Sequence, residues 1–107
     1  MPRNPFKDLF RKRQRLIQTA DRAAVAAKVA VCRSQSGRDK TRKITTAARK
    51  CERAAALYQQ AGLGLLAKQQ FADAARYYSL SSDQERARLN QDRAASVSTY
   101  WEDDTNA

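Results

Sequence analysis

No histidine occurs anywhere in the 107 residues. That absence removes the commonest general base, the usual zinc ligand and every histidine-containing catalytic triad. Cysteine is nearly absent too. Cys32 and Cys51 do not make a disulfide framework, and both are expected to be reduced, buried small side chains. Among the few glycines, Gly62-x-Gly64 lacks the preceding strand and the following lysine-threonine pair of a phosphate-binding loop. No nucleophile stands beside an oriented base. We therefore expect a protein that binds rather than catalyses, with no cofactor and no metal. Long apolar runs are missing as well. The longest, Ala23 to Cys32, is interrupted by Lys28 and falls short of the roughly 20 residues a bilayer span needs. The basic start lacks the short apolar core and cleavage pattern of a secretory signal. These absences predict a soluble protein of the cytoplasm or nucleus that does not insert into a membrane.

What is present is alanine and positive charge. The chain has the size of one domain, at 12.1 kDa, and 42% of its residues are apolar. Much of that fraction is alanine, so helices can approach closely while each contact removes little area from water, at roughly 0.8 kcal/mol per buried CH₂. Such a core is marginal for a monomer, and a homodimer is the expected form. The charge is uneven. Residues 1–60 hold 16 Lys and Arg against 4 Asp and Glu, whereas residues 61–107 hold 5 against 7. A gradient of this kind speaks to the partner rather than to the fold.

Periodicity predicts an all-α protein: a three-helix antiparallel bundle, or a helical hairpin plus a third helix. Residues 1–5 read as a flexible basic lead, 6–95 as the helical domain and 96–107 as an acidic tail that is either disordered or docked through Tyr100 and Trp101. From Phe6 to Arg33, Leu9, Leu16, Ala20, Ala23, Ala27 and Val31 share one side at 100° per residue, and Lys7, Arg11, Arg15, Gln18 and Arg22 share the other. The small polar stretch Ser34 to Asp39 predicts a turn, with Asp39 able to cap the next helix. That second helix is expected from Lys40 to Leu66, its inner face carrying Ile44, Ala47, Ala48, Cys51, Ala54, Ala55, Tyr58, Gly62 and Leu65. A turn near Ala67 to Gln70 then leads into a third helix from Phe71 towards Arg93, with Phe71, Ala74, Ala75, Tyr78 and Leu89 inward. Ser81 to Asp83 are good cap and turn formers, which makes a break there a further option.

The segment Tyr58 to Leu65, followed by Phe71, Ala74 and Tyr78, resembles the helical hairpin of a tetratricopeptide repeat. Tyr58, Ala61, Gly62 and Leu65 stand where that family has its aromatic, small and large residues, and Ser81 and Arg86 depart from its alanine and proline. The layout is also similar to the three-helix domain of microtubule-interacting and trafficking proteins. Both families bind peptides or helices, so the resemblance implies a protein partner.

The cationic faces point elsewhere. Arg42, Lys43, Thr46, Arg49, Lys50 and Arg53 lie opposite the apolar stripe of the second helix, and Lys7, Arg11, Arg15 and Arg22 form a matching stripe on the first. At 1.5 Å per residue, Arg42 to Arg53 span about 16 Å, a length over which long side chains reach successive phosphates. Like charges three and four residues apart cost a free helix a few tenths of a kcal/mol per pair, which an anionic partner relieves. Duplex nucleic acid is the simplest such partner, with RNA preferred to DNA because no base-reading helix stands out and no aromatic stacking platform is evident. In size and layout the chain is similar to small viral silencing suppressors. The alternative is a helical adaptor for an acidic or amphipathic protein segment, since Val25, Ala26 and Val29 lie on the polar side of the first helix, where a phosphate backbone has no use for them. The basic faces carry too few apolar residues for a membrane helix of the usual kind.

Overall fold

A computed structural model describes residues 5–33 and 39–97. It is all helical: α1 spans Pro5–Arg33, α2 Lys40–Gln60, α3 Gly64–Leu80 and α4 Gln84–Ser96, with no strand among the described residues. The expected three helices are thus four, the third being divided at Ser81–Asp83, where the sequence offers a break as an option. The first helix has its expected bounds, opened by Pro5, whose missing N–H would have no intrahelical partner at this position anyway. The second ends at Gln60 rather than Leu66. The predicted turn at Ala67 to Gln70 lies inside α3, where Ala67 is buried.

The reason is a helix ending that the chain uses twice. Gly62 takes a left-handed φ of +79°. Its N–H bonds to the Gln59 carbonyl, and the Leu63 N–H reaches back to Tyr58. This pair of bonds satisfies the last carbonyls of α2 and stops it. Ser82, at φ +66°, repeats the arrangement, with Ser82 N–H on Ser79 and Asp83 N–H on Tyr78. The sequence repeats with it, since Ala54-Ala55-x-x-Tyr58-x-x-Ala61-Gly62 and Ala74-Ala75-x-x-Tyr78-x-x-Ser81-Ser82 are offset by 20 residues. Asp83 then starts α4 by accepting the Arg86 N–H at 3.1 Å. Asp39, by contrast, sits at the start of α2 without a side-chain capping bond, and only its carbonyl is used, by the Lys43 N–H. Residues 34–38 of the predicted turn lie outside the described residues.

Each helix packs chiefly against its sequence neighbours, so the molecule is a serial array. The interior consists of small side chains with a few tyrosines between them. Ala27, Ile44, Ala47, Ala48, Cys51, Ala74, Tyr77, Tyr78 and Ala87 form one buried cluster. Ala20, Ala54, Ala55, Tyr58, Ala67, Phe71, Ala94 and Val97 form the other. Tyr58 donates its hydroxyl to Asp21 on α1, and Tyr78 donates to Glu52 on α2, so each repeated tyrosine bonds back to the helix before its own. On α2 the predicted inner face is buried from Ile44 to Tyr58, but Gly62 is exposed in the turn. Leu65 and Leu89, assigned to the core, are exposed, because the shift in helix boundaries gives their places to Ala67 and Asn90. Leu9 is exposed because α1 outruns α2. Cys32, expected to be buried, is exposed, whereas Cys51 is buried, and both are free thiols. No described helix is long and apolar enough to cross a membrane. The lead Met1 to Asn4 and the tail from Ser98, with Tyr100, Trp101 and the acidic run Glu102 to Asp104, lie outside the described residues.

Candidate nucleic-acid interface

The side-chain spacing on α2 divides its polar residues into two sets. Arg42, Thr46, Arg49 and Arg53 are directed away from the Ile44–Cys51–Ala55 face, which packs inward. Lys43 and Lys50 lie beside α1. They line a groove of about 800 Å³ together with Asp21, Arg22, Val25, Ala26, Val29, Ala30 and Arg33. The groove is apolar along its α1 wall, where Val25 is 60% and Val29 41% exposed. Arg42, Lys43 and Thr46 meet Ala30 and Asp39 in a smaller hollow at one end. Arg11 and Arg15 gather with Asp8 and Lys12 nearer the start of α1. Arg22 and Arg11 are three helical turns apart, about 16 Å. The structure thus joins Arg22 with Lys43 and Lys50, and Lys43 with Arg42 and Thr46, while Lys7, Arg11 and Arg15 extend the same charge towards the α1 tip. Thr46 is partly committed already. Its Oγ1 donates to the Arg42 carbonyl at 3.0 Å, which leaves the hydroxyl its acceptor capacity.

Sequence reasoning passed over Arg33 and Lys12. Arg33 lies three full turns after Arg22, so the helical period alone places it on the same rim.

Among the described residues the ion pairs are Arg76–Asp73 at 3.4 Å, Arg86–Asp83 at 3.6 Å and Arg93–Glu52 at 2.9 Å. None uses Arg11, Arg15, Arg22, Arg42, Lys43, Arg49, Lys50 or Arg53. Asp21 and Glu52 each accept a tyrosine hydroxyl, and Glu52 is further bound by Arg93. Burial, and then the bond to the neighbouring carboxylate, push the Tyr58 and Tyr78 hydroxyls up to about 12. The Cys51 thiol is likewise pushed up to about 12, by burial first and the Asp73 charge second. It is therefore a packing group at neutral pH, not a thiolate. No group of three or more His, Cys, Asp or Glu residues comes together to hold a metal ion among the described residues.

The class that the fold and this face define is a serial helical array with a cationic surface. No protein-family model matches the chain, and neither a curated protein nor a solved structure is significantly similar to it.

Proposed function

We propose that the protein binds duplex nucleic acid, RNA in preference to DNA, by its backbone and shape, in the manner of a small silencing suppressor. The observation that carries this reading is the joined cationic surface of α1 and α2, where Arg22, Arg42, Lys43, Arg49, Lys50 and Arg53 have no ion-pair partner among the described residues. Arg42, Lys43, Arg49, Lys50 and Arg53 would contact phosphates, with Arg22, Arg15, Arg11 and Lys7 continuing the track along α1. Thr46 would accept a hydrogen bond from a 2′-hydroxyl, the role left open to it by its own bond to Arg42. Little sequence preference results from contacts of this type. Mobility shifts with RNA and DNA duplexes over a salt series test the reading. Arg49→Ala together with Arg53→Ala should weaken binding equally for unrelated sequences and lower the salt slope by up to about 2. Unchanged affinity and slope would rule the face out.

A second reading is favoured by the groove itself. Val25 and Val29 line the same groove as Arg22 and Arg33 of α1 and Lys43 and Lys50 of α2. That arrangement suits an amphipathic acidic helix of a protein partner better than it suits phosphates. The tetratricopeptide-like residues Tyr58, Gly62, Ala74 and Tyr78 support a helix-binding scaffold of this kind. Val25→Asp with Val29→Asp should abolish capture of an acidic amphipathic peptide, and an unaffected peptide affinity would remove this reading. A homodimer would use the same groove, and sedimentation of the double variant would then show monomers.

A further inference from the structure

We infer that the projecting start of α1 is a second binding surface, which seats the protein on an anionic lipid bilayer without crossing it. Its apolar residues belong to neither the duplex face nor the valine groove, although it shares Lys7, Arg11 and Arg15 with the duplex track.

The helix α1 is eight residues longer than its antiparallel neighbour α2. The Arg13 Nε donates at 2.9 Å to the carbonyl of Ala61, the residue that ends α2. Everything in α1 before Arg13 therefore lies beyond the end of its neighbour. The apolar stripe does not stop there. At 100° per residue Leu9 and Phe10 continue the line of Ile17, Ala20, Ala24 and Ala27, which pack into the array. Exposure rises along that line: Ile17 is half-buried, whereas Phe10 is 58% and Leu9 64% exposed. Leu65 and Leu66, also exposed, begin α3 just after the turn that Arg13 holds, so two elements bring large apolar side chains to the same end of the molecule. Lys7, Arg11, Lys12, Arg13 and Arg15 surround this end, and Asp8 is the one acid between residues 5 and 17.

The occupant must accept apolar side chains from a projecting helix tip and also neutralise cations on both of its flanks. A bilayer with anionic headgroups does both. An amphipathic helix with phenylalanine and leucine on one side and lysine and arginine around it lies in the interface, its apolar side reaching about 5–10 Å into the headgroup and acyl boundary. Each cation near such a surface adds to the attraction within a Debye length. A second copy of this chain is a poorer fit, because it would bring one cation-ringed tip against another. Periodicity alone assigns Leu9 to the core and so leaves too few apolar residues for a surface helix. The overhang frees Leu9 and Phe10.

Vesicle flotation with the full chain tests the inference. Vesicles of phosphatidylcholine with roughly 30% phosphatidylserine should bind about tenfold or more tightly than phosphatidylcholine alone, and added salt should weaken the binding. Leu9→Ser with Phe10→Ser removes exposed side chains only, so circular dichroism should be unchanged while vesicle affinity falls by about tenfold or more. Phe10→Trp should show a blue-shifted emission on the anionic vesicles. The serine variant should keep its affinity for duplex RNA, and Arg49→Ala with Arg53→Ala should retain at least the Phe10→Trp shift, so the two sites fail separately. No binding to anionic vesicles overturns the inference. Binding that survives the serine changes also overturns it, since charge alone would then be responsible. If those changes instead turn a dimer into a monomer with vesicle binding intact, the tip is a contact between copies.

Discussion

The α1–α2 and α3–α4 halves of the array are built alike, from alanine faces and a few aromatics, yet they treat charge in opposite ways. In α3 and α4 three of the four arginines are paired: Arg76 with Asp73, Arg86 with Asp83, and Arg93 with Glu52 across the array. Arg76 and Arg86 also lie over the rings of Tyr77 and Tyr78. In α1 and α2 the acids Asp21 and Glu52 are turned to tyrosine hydroxyls, and Arg42, Arg49 and Arg53 face outwards with no ion-pair partner among the described residues. Mixed signs on exposed faces serve solubility, and one-signed faces do not, so the difference is what the proposed contact role of the first half, with the second as its support, requires. Substitutions in the two halves should therefore separate stability from binding.

The largest effect is expected at the support. Tyr78 is among the largest fully buried side chains, lies at the α2–α3 interface and bonds to Glu52. Tyr78→Ala leaves both a cavity and a carboxylate without its tyrosine partner, and should cost about 3–5 kcal/mol in urea unfolding. In a fold of such small side chains that is enough to populate the unfolded state at room temperature.

Alkaline pH attacks the same two links without mutation. The Tyr58 and Tyr78 hydroxyls ionise at about 12 in the folded chain and near 10 when unfolded. A folded value raised in this way contributes stability that is complete below pH 10 and is lost as pH rises towards 12. The loss should reach roughly 2–3 kcal/mol per tyrosine. Urea midpoints measured from about pH 9 to 12 should fall steeply in the native chain and less steeply in Tyr58→Phe and Tyr78→Phe, which start lower because each loses its bond to a carboxylate. An equal slope in all three would remove the tyrosine–carboxylate links as the cause.

Smaller effects test the repeated helix ending. An added Cβ at Gly62 meets nothing within 4 Å, so Gly62→Ala is penalised by its positive φ alone, about 1 kcal/mol. Ser82 already carries that penalty, and Ser82→Gly should stabilise by up to about 1 kcal/mol. Opposite signs at the two positions would confirm that one backbone device ends both helices.

The same device explains which parts of the fold were legible in the sequence. The face from Ile44 to Tyr58 was readable because seven apolar residues recur at helical spacing without interruption. The stop at Gly62 was not, because Leu63 to Leu66 continue an apolar pattern through the turn, and periodicity records burial rather than backbone sign. The second stop carries Ser82 where the first carries Gly62, so composition hides their kinship until the two left-handed residues are seen. The cationic residues were legible as a surface, since charge is costly to bury. Their division between the outer side of α2 and the groove was not, because it depends on where α1 lies. Leu9 illustrates the same limit: its place on the stripe is fixed by periodicity, but its exposure depends on how far α2 extends.

The smallest effect on stability is expected where the effect on binding is expected to be large. Arg49 and Arg53 are exposed, have no ion-pair partner among the described residues, and lie four apart on one helix with Lys50 between them. Like charges at this spacing oppose the helix by a few tenths of a kcal/mol, and alanine is the better helix former by a similar amount. Arg49→Ala with Arg53→Ala should therefore leave the urea midpoint unchanged or raise it, by no more than about 0.5 kcal/mol. Added salt should narrow the gap, because screening removes the repulsion in the native chain as the mutation does. Loss of more than about 1 kcal/mol would mean that these arginines hold the fold together. The contrast between a supporting half and a contacting half would then fail at its most direct point.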